Sequence, residues 1–163
     1  MSQLLEAVYR EQRQGLYSLA VSVTASHQLA EDAVHNAFER LIRKSLPAGD
    51  LVPYVYRAVR NAAIDLCRTG QAQNRMCATL FEEPGRKSDD PAQQLMTNET
   101  HQQLRRAIES LSENYREAVV LKAFAGLTFD QIGLVTGIPA KTIATRYRRA
   151  IGELQDKLSK QLF

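Results

Sequence analysis

Apolar residues recur at three- and four-residue steps along most of this chain, while period-two alternation is nearly absent. That pattern predicts helices and no sheet. Leu4, Leu5, Val8, Leu16, Leu19, Ala20 and Val23 make one apolar stripe. A second helix is predicted over 29–44, burying Ala33, Val34, Ala37, Phe38, Leu41 and Ile42, with Ser26 or His27 just ahead of it. Its first turn carries Glu31 and Asp32 and its far end Arg40, Arg43 and Lys44, each the sign the helix dipole favours. Residues 45–50 hold Pro47, Gly49 and Asp50 and read as a turn. Pro53 suits the first turn of a third helix that buries Val55, Val59, Ala62, Ala63 and Leu66 and ends near Arg68, before Thr69-Gly70.

The periodicity then lapses. Residues 71–94 contain Pro84-Gly85 and Asp90-Pro91 and read as a flexible linker, with a helical turn near Met76 to Phe81. It separates a first domain, 1–70, from a second, 95–163. In the second, Leu104, Ile108 and Leu111 set one stripe, Ser112 can cap the next helix, and that helix carries Ala118, Val119, Leu121 and Phe124. The fold class expected is all-α: two small helical domains joined by a flexible linker.

The segment from Gly126 to Ala150 is the most informative. Thr128-Phe129-Asp130-Gln131 has the form of a capping box, a hydroxyl for one orphan amide and a side-chain amide reaching back. The short helix it opens buries Ile132, Leu134 and Val135. Gly137 supplies a turn that needs a left-handed residue, Pro139 starts the next helix, and Ile143, Tyr147, Ile151 and Leu154 give that helix one packed face. Short helix, glycine turn and longer basic helix make a helix-turn-helix, whose second helix meets base edges with its early residues. Thr128 sits at the motif's start. Ala140, Lys141, Thr142, Thr145 and Arg146 occupy the early positions of the second helix, and Arg148 and Arg149 lie further along, better placed for phosphates.

Composition adds little until it is resolved along the chain. A net charge of +3 over 163 residues argues only weakly for a polyanionic partner. Its distribution argues better: four arginines face one aspartate between Arg57 and Arg75, and six cations face Glu153 and Asp156 between Gly137 and Lys160. Between these runs lies an acidic stretch, Phe81 to Glu99, so two contact surfaces are expected. The first falls on the third helix, where Tyr54, Tyr56, Arg57, Arg60, Asn61, Asp65 and Arg68 combine rings, cations and an amide. Rings stack on unpaired bases and arginines hold phosphates, which suits single-stranded DNA. The alternative for either tyrosine is a ring in the core with its hydroxyl at the rim. Cys67 and Cys77 lack the partners of a zinc site or a disulfide framework, and His27, His35 and His101 are too scattered for metal ligands. No metal or cofactor is expected. Neither paired catalytic carboxylates, nor a nucleophile with its base, nor a phosphate loop appears, so the chain is not expected to be an enzyme. Lacking a signal peptide or a long apolar run, it is expected in the cytoplasm, with no membrane insertion.

These residues carry a family resemblance. Ala30-Glu31-Asp32-Ala33-Val34-His35-Asn36-Ala37-Phe38 is similar to the core-binding helix of the extracytoplasmic-function (ECF) sigma factors of the sigma-70 family. The run from Tyr54 to Asp65 resembles the helix that melts and reads their minus-ten element, Leu111 to Ala118 the start of their fourth conserved region, and Leu127 to Ala150 the helix-turn-helix that reads the minus-thirty-five element. His35 stands where glutamine is usual and Tyr54 where tryptophan is common, while Gln131 and Gly133 replace the usual Glu-Ile-Ala pattern around Ile132. The resemblance implies a promoter-specificity subunit whose partners are core RNA polymerase and promoter DNA, duplex and single-stranded. Glu31, Asp32, His35, Asn36 and Phe38 would bind polymerase, Asp32 and its neighbours on the clamp coiled coil of the largest subunit. An anti-sigma factor commonly occludes such surfaces in this family, although no motif here identifies one. The competing expectation is a stand-alone helix-turn-helix regulator of duplex DNA.

Overall fold

The computed structural model describes the backbone of residues 3–69 and 91–161, with side chains over 3–69 and 99–160. Among the described residues there are helices and no strands. Helix α1 (Gln3–Thr24) is followed by α2 (His27–Ile42) and α3 (Leu51–Arg68), and the chain resumes with α4 (Pro91–Glu109) and α5 (Glu113–Val119). A π-helical turn over Val120–Phe124 extends α5, and α6 (Phe129–Thr136) and α7 (Ala140–Gln161) complete the order.

Local chemistry explains most of the boundaries. The Ser26 hydroxyl accepts from the Leu29 amide and opens α2. Asp50, read from sequence only as a turn residue, is the N-cap of α3, its Oδ1 accepting from the Val52 amide at 3.0 Å, so that helix begins at Leu51, ahead of Pro53. The linker expected over 71–94 is shortened at its far end, because α4 begins at Pro91, where a missing amide hydrogen is harmless. The helical turn expected near Met76 to Phe81, together with Cys77, lies outside the described residues. Arg116 closes α4 from a distance, donating to the carbonyls of Ile108, Glu109 and Leu111 at 3.4, 2.8 and 3.0 Å.

Helices α1, α2 and α3 pack through Leu16, Leu19, Ala20 and Val21, the small face of Ala30, Ala33 and Ala37, and Val55, Val59 and Ala63. Alanines on α2 let its backbone approach both neighbours closely. The second set packs Ile108, Leu111, Val119, Leu121, Ile132, Val135, Ile143 and Ala150. These two cores run into each other in one buried cluster. At their junction α1 lies on the π-turn: a Cβ added to Gly15 would sit 3.0 Å from the Ala125 Cα.

Candidate nucleic-acid interface

The helix-turn-helix forms as expected, with Ile132 and Val135 of α6 buried, but Leu134, expected beside them, faces outward and is exposed. The Gln131 amide donates to the Thr128 hydroxyl at 3.1 Å, and the Thr128 amide donates to Gln131 Oε1 at 2.9 Å, completing the capping box. Gly137 turns the chain with φ +75°, its amide donating to the Gly133 carbonyl at 2.8 Å. The second helix starts at Ala140, one residue later than expected, because Pro139 acts as its preceding acceptor: its carbonyl takes the amides of Thr142 and Ile143.

At roughly 100° per residue, Lys141, Thr142, Thr145, Arg148 and Arg149 fall within about 120° of arc on α7, with Arg146 at the edge. Ile143, Ala150 and Leu154, buried against the rest of the domain, lie on the opposite side. Lys141, Thr142, Arg148 and Arg149 are exposed, whereas Ala140, Thr145 and Arg146 are half-buried. The Thr145 hydroxyl donates back to the Lys141 carbonyl at 3.0 Å, so its oxygen is held against its own helix. Thr128 is exposed, with its hydroxyl committed to the cap.

The residues singled out on α3 do not share one face. Tyr54, Arg57, Asn61, Asp65 and Arg68 fall within about 80° of arc. Tyr56 and Arg60 point elsewhere. Tyr56 is fully buried, its hydroxyl donating to Gln12 Oε1 at 2.9 Å, and burial pushes its phenol pKa upward. Of the two readings left open for the tyrosines, the core reading therefore holds for Tyr56, and its ring is not presented to a strand. Arg60 donates through Nε to Glu117 Oε1 of α5 at 3.0 Å.

Beside the remaining face of α3 lies a cleft of about 230 Å³, lined by Ala37, Arg40, Leu41 and Lys44 of α2 and its C-terminal turn and by Tyr54, Arg57, Ala58 and Asn61 of α3. Arg40 and Lys44 were read from sequence only as charges suited to a helix C-terminus. The cleft gives them a second use, since three cations, an aromatic ring and an amide surround a space with an apolar floor. Such a set can hold an unstacked base and its flanking phosphates. Asp65 lies 3.8 Å from Arg40 and tempers the positive field.

On α2, Glu31, Asp32 and His35 are exposed and Asn36 is half-buried. His35 Nε2 lies 3.1 Å from Glu39 Oε1. Phe38 is turned inward, with the Tyr9 ring packed edge-on at 5.2 Å, so what α2 displays to solvent is its polar face. Among the described residues no group of His, Cys, Asp and Glu is arranged to hold a metal, and no helix is long and apolar enough to cross a membrane.

A basic helix-turn-helix in one domain and a cationic, aromatic cleft in the other are two surfaces of the kind that can hold nucleic acid. Residues 8–73 match sigma-70 region 2 and residues 101–154 match sigma-70 region 4. The chain belongs to the sigma-70 family. It is 25% identical over 158 residues to the ECF RNA polymerase sigma factor SigE of Mycolicibacterium smegmatis, covering 95% of this chain and 62% of that one. The RNA polymerase sigma factor SigZ of Bacillus subtilis is 30% identical over 105 residues, covering 64% of this chain and 57% of that protein. The chain thus spans less than two thirds of the length of these relatives. In fold it resembles the sigma factor RpoE of Bartonella quintana, solved with the anti-sigma factor NepR, with a TM-score of 0.70 at 22% identity, covering 96% of this chain and 95% of that one.

Proposed function

We propose that this protein binds core RNA polymerase in the cytoplasm and directs it to promoters, as an ECF-type sigma factor without enzymatic activity of its own. The observation that carries the reading is the cleft between α2 and α3: the domain without the helix-turn-helix nevertheless carries cations and a half-buried ring suited to single-stranded DNA. A regulator that reads only duplex DNA has no use for that surface. Division of labour follows the two domains, 1–70 for polymerase and the minus-ten strand, 95–163 for the minus-thirty-five duplex, with 71–94 between them.

On α2, Glu31, Asp32, His35 and Asn36 form the polar face offered to polymerase, while Phe38 holds the helix to its own domain from inside. On α3, Tyr54, Arg57, Asn61 and Arg68, joined by Arg40 and Lys44, take the separated strand. An extracted base costs less to hold where stacking and phosphate contacts are already in place. On α7, Lys141 and Thr142 reach base edges, and Arg148 and Arg149 supply salt-sensitive phosphate affinity. An anti-sigma partner, as NepR is for the Bartonella protein, would compete for the α2 face.

Run-off transcription with core polymerase on genomic fragments tests the reading. Promoter-specific transcripts are expected; normal duplex binding without any such transcript would establish the stand-alone regulator instead. The residue assignment has its own test, since Asp32→Ala is expected to weaken core binding while Arg146→Ala leaves it intact. Equal losses of core affinity from both would refute the division of labour.

A further inference from the structure

Two threonines stand on the exposed arc of α7 with opposite commitments. Thr142 is exposed, and its hydroxyl makes no hydrogen bond among the described residues. Thr145, one turn further along, is half-buried and donates its hydroxyl to the Lys141 carbonyl at 3.0 Å. At about 100° per residue it falls at the middle of the arc, with Lys141 and Arg148 to one side and Thr142 and Arg149 to the other. All four of those neighbours are exposed. The centre of the face is thus its most sheltered point, a short branched side chain ringed by polar ones.

We propose that Thr145 selects thymine at one position of the duplex element, by setting its methyl group against the C5-methyl of that base. This role rests on the duplex-reading assignment of α7, which leaves Thr145 without one. A threonine hydroxyl has a single hydrogen, and here the helix's own carbonyl takes it. None is left for the acceptors that guanine, adenine and thymine display in the major groove. Of the two branches at Cβ, the methyl is the one not held to the backbone. Thymine alone offers the major groove an apolar group, so methyl against methyl is the contact that this conformation suits. The exposed side chains around it supply the polar rim that keeps water from such a contact. Position 145 thus discriminates by shape and desolvation, where Lys141 and Thr142 do so by hydrogen bonds.

The test uses the full chain with core RNA polymerase. A duplex is enriched from a random-sequence pool and then synthesised with each thymine replaced singly by deoxyuridine, which deletes the C5-methyl and nothing else. Fluorescence anisotropy reads the affinities. One deoxyuridine should weaken binding of the parent about three- to fivefold, the worth of one buried methyl group. Thr145→Ser keeps the hydroxyl and deletes the methyl. It should bind the thymine duplex no better than the parent binds that deoxyuridine duplex, and should no longer tell the two apart. Thr145→Val, which keeps the methyl and the shape, should retain the discrimination, as should Thr142→Ser. The role is overturned if no single deoxyuridine matters to the parent, or if Thr145→Ser discriminates as the parent does. A Thr145→Val protein that melts like the parent but binds both duplexes about tenfold more weakly overturns it as well, because the hydroxyl then accepts from an adenine or cytosine amino group. A pool that yields no enriched sequence refutes the duplex-reading assignment itself, and this role with it; enrichment without methyl dependence strikes Thr145 alone.

Discussion

Two glycines of the second domain should respond to the same substitution with opposite signs. Gly137 turns the chain between α6 and α7 at φ +75°, and a Cβ added there would meet nothing within 4 Å. Gly152 lies inside α7, and a Cβ there would also meet nothing. Sterics with neighbours therefore drop out, and only backbone preference remains. At Gly137 an L-residue in the left-handed region costs about 1–2 kcal/mol, offset in part by about 0.4–1 kcal/mol from the stiffer unfolded chain. A net loss of roughly 1 kcal/mol is expected for Gly137→Ala. At Gly152 the left-handed penalty is absent and alanine improves helix propensity, so Gly152→Ala should gain about 0.5–1 kcal/mol. Urea unfolding followed by circular dichroism at the helix band measures both. With slopes of about 1–3 kcal/mol per molar, the midpoints should move apart by somewhere between about 0.5 and 2 M. Shifts of the same sign would refute the reasoning, because the two sites differ only in backbone conformation. Asparagine at 137, which tolerates the left-handed region, should recover most of the loss.

Arg116→Lys should lower stability by about 1–2 kcal/mol in a thermal melt, since a single ammonium cannot reach the three carbonyls that the guanidinium joins at the end of α4; a lysine variant that melts like the parent would show those bonds to be idle. Arg148→Ala and Arg149→Ala should each weaken duplex binding and reduce the slope of log affinity against log salt by about 1, with no change in melting temperature. An unchanged salt slope would remove both from the phosphate contacts. Tyr54→Ala should cost about 1–3 kcal/mol of single-strand affinity by fluorescence anisotropy, and Tyr54→Phe almost nothing, because the ring and not the hydroxyl does the stacking. Equal losses would point to a hydrogen bond instead.

Helix-by-helix, the amino-acid sequence determines a great deal of this protein. The stripe through Leu16, Leu19 and Val23, the Thr128 capping box and the Gly137 turn are all set by neighbours within a few positions, and local rules act over that distance. The arc of Lys141, Thr142, Arg148 and Arg149 on α7 is equally local, because a helix's period assigns its faces. Tertiary packing decided the rest. Tyr54 and Tyr56 are alike in sequence terms, yet the first lines a cleft and the second lies beneath Gly15, since two positions on a helix are about 200° apart and only the surrounding helices decide which side is buried. Arg40 and Lys44 joined the candidate site only when α2 was laid beside α3. Most of all, the partners of Arg60 and Asp50 lie 57 and 81 positions away, on the far side of the interdomain stretch. No periodicity spans such a distance; only the docking of the two domains brings those groups together, because it aligns the seam's donors with its acceptors.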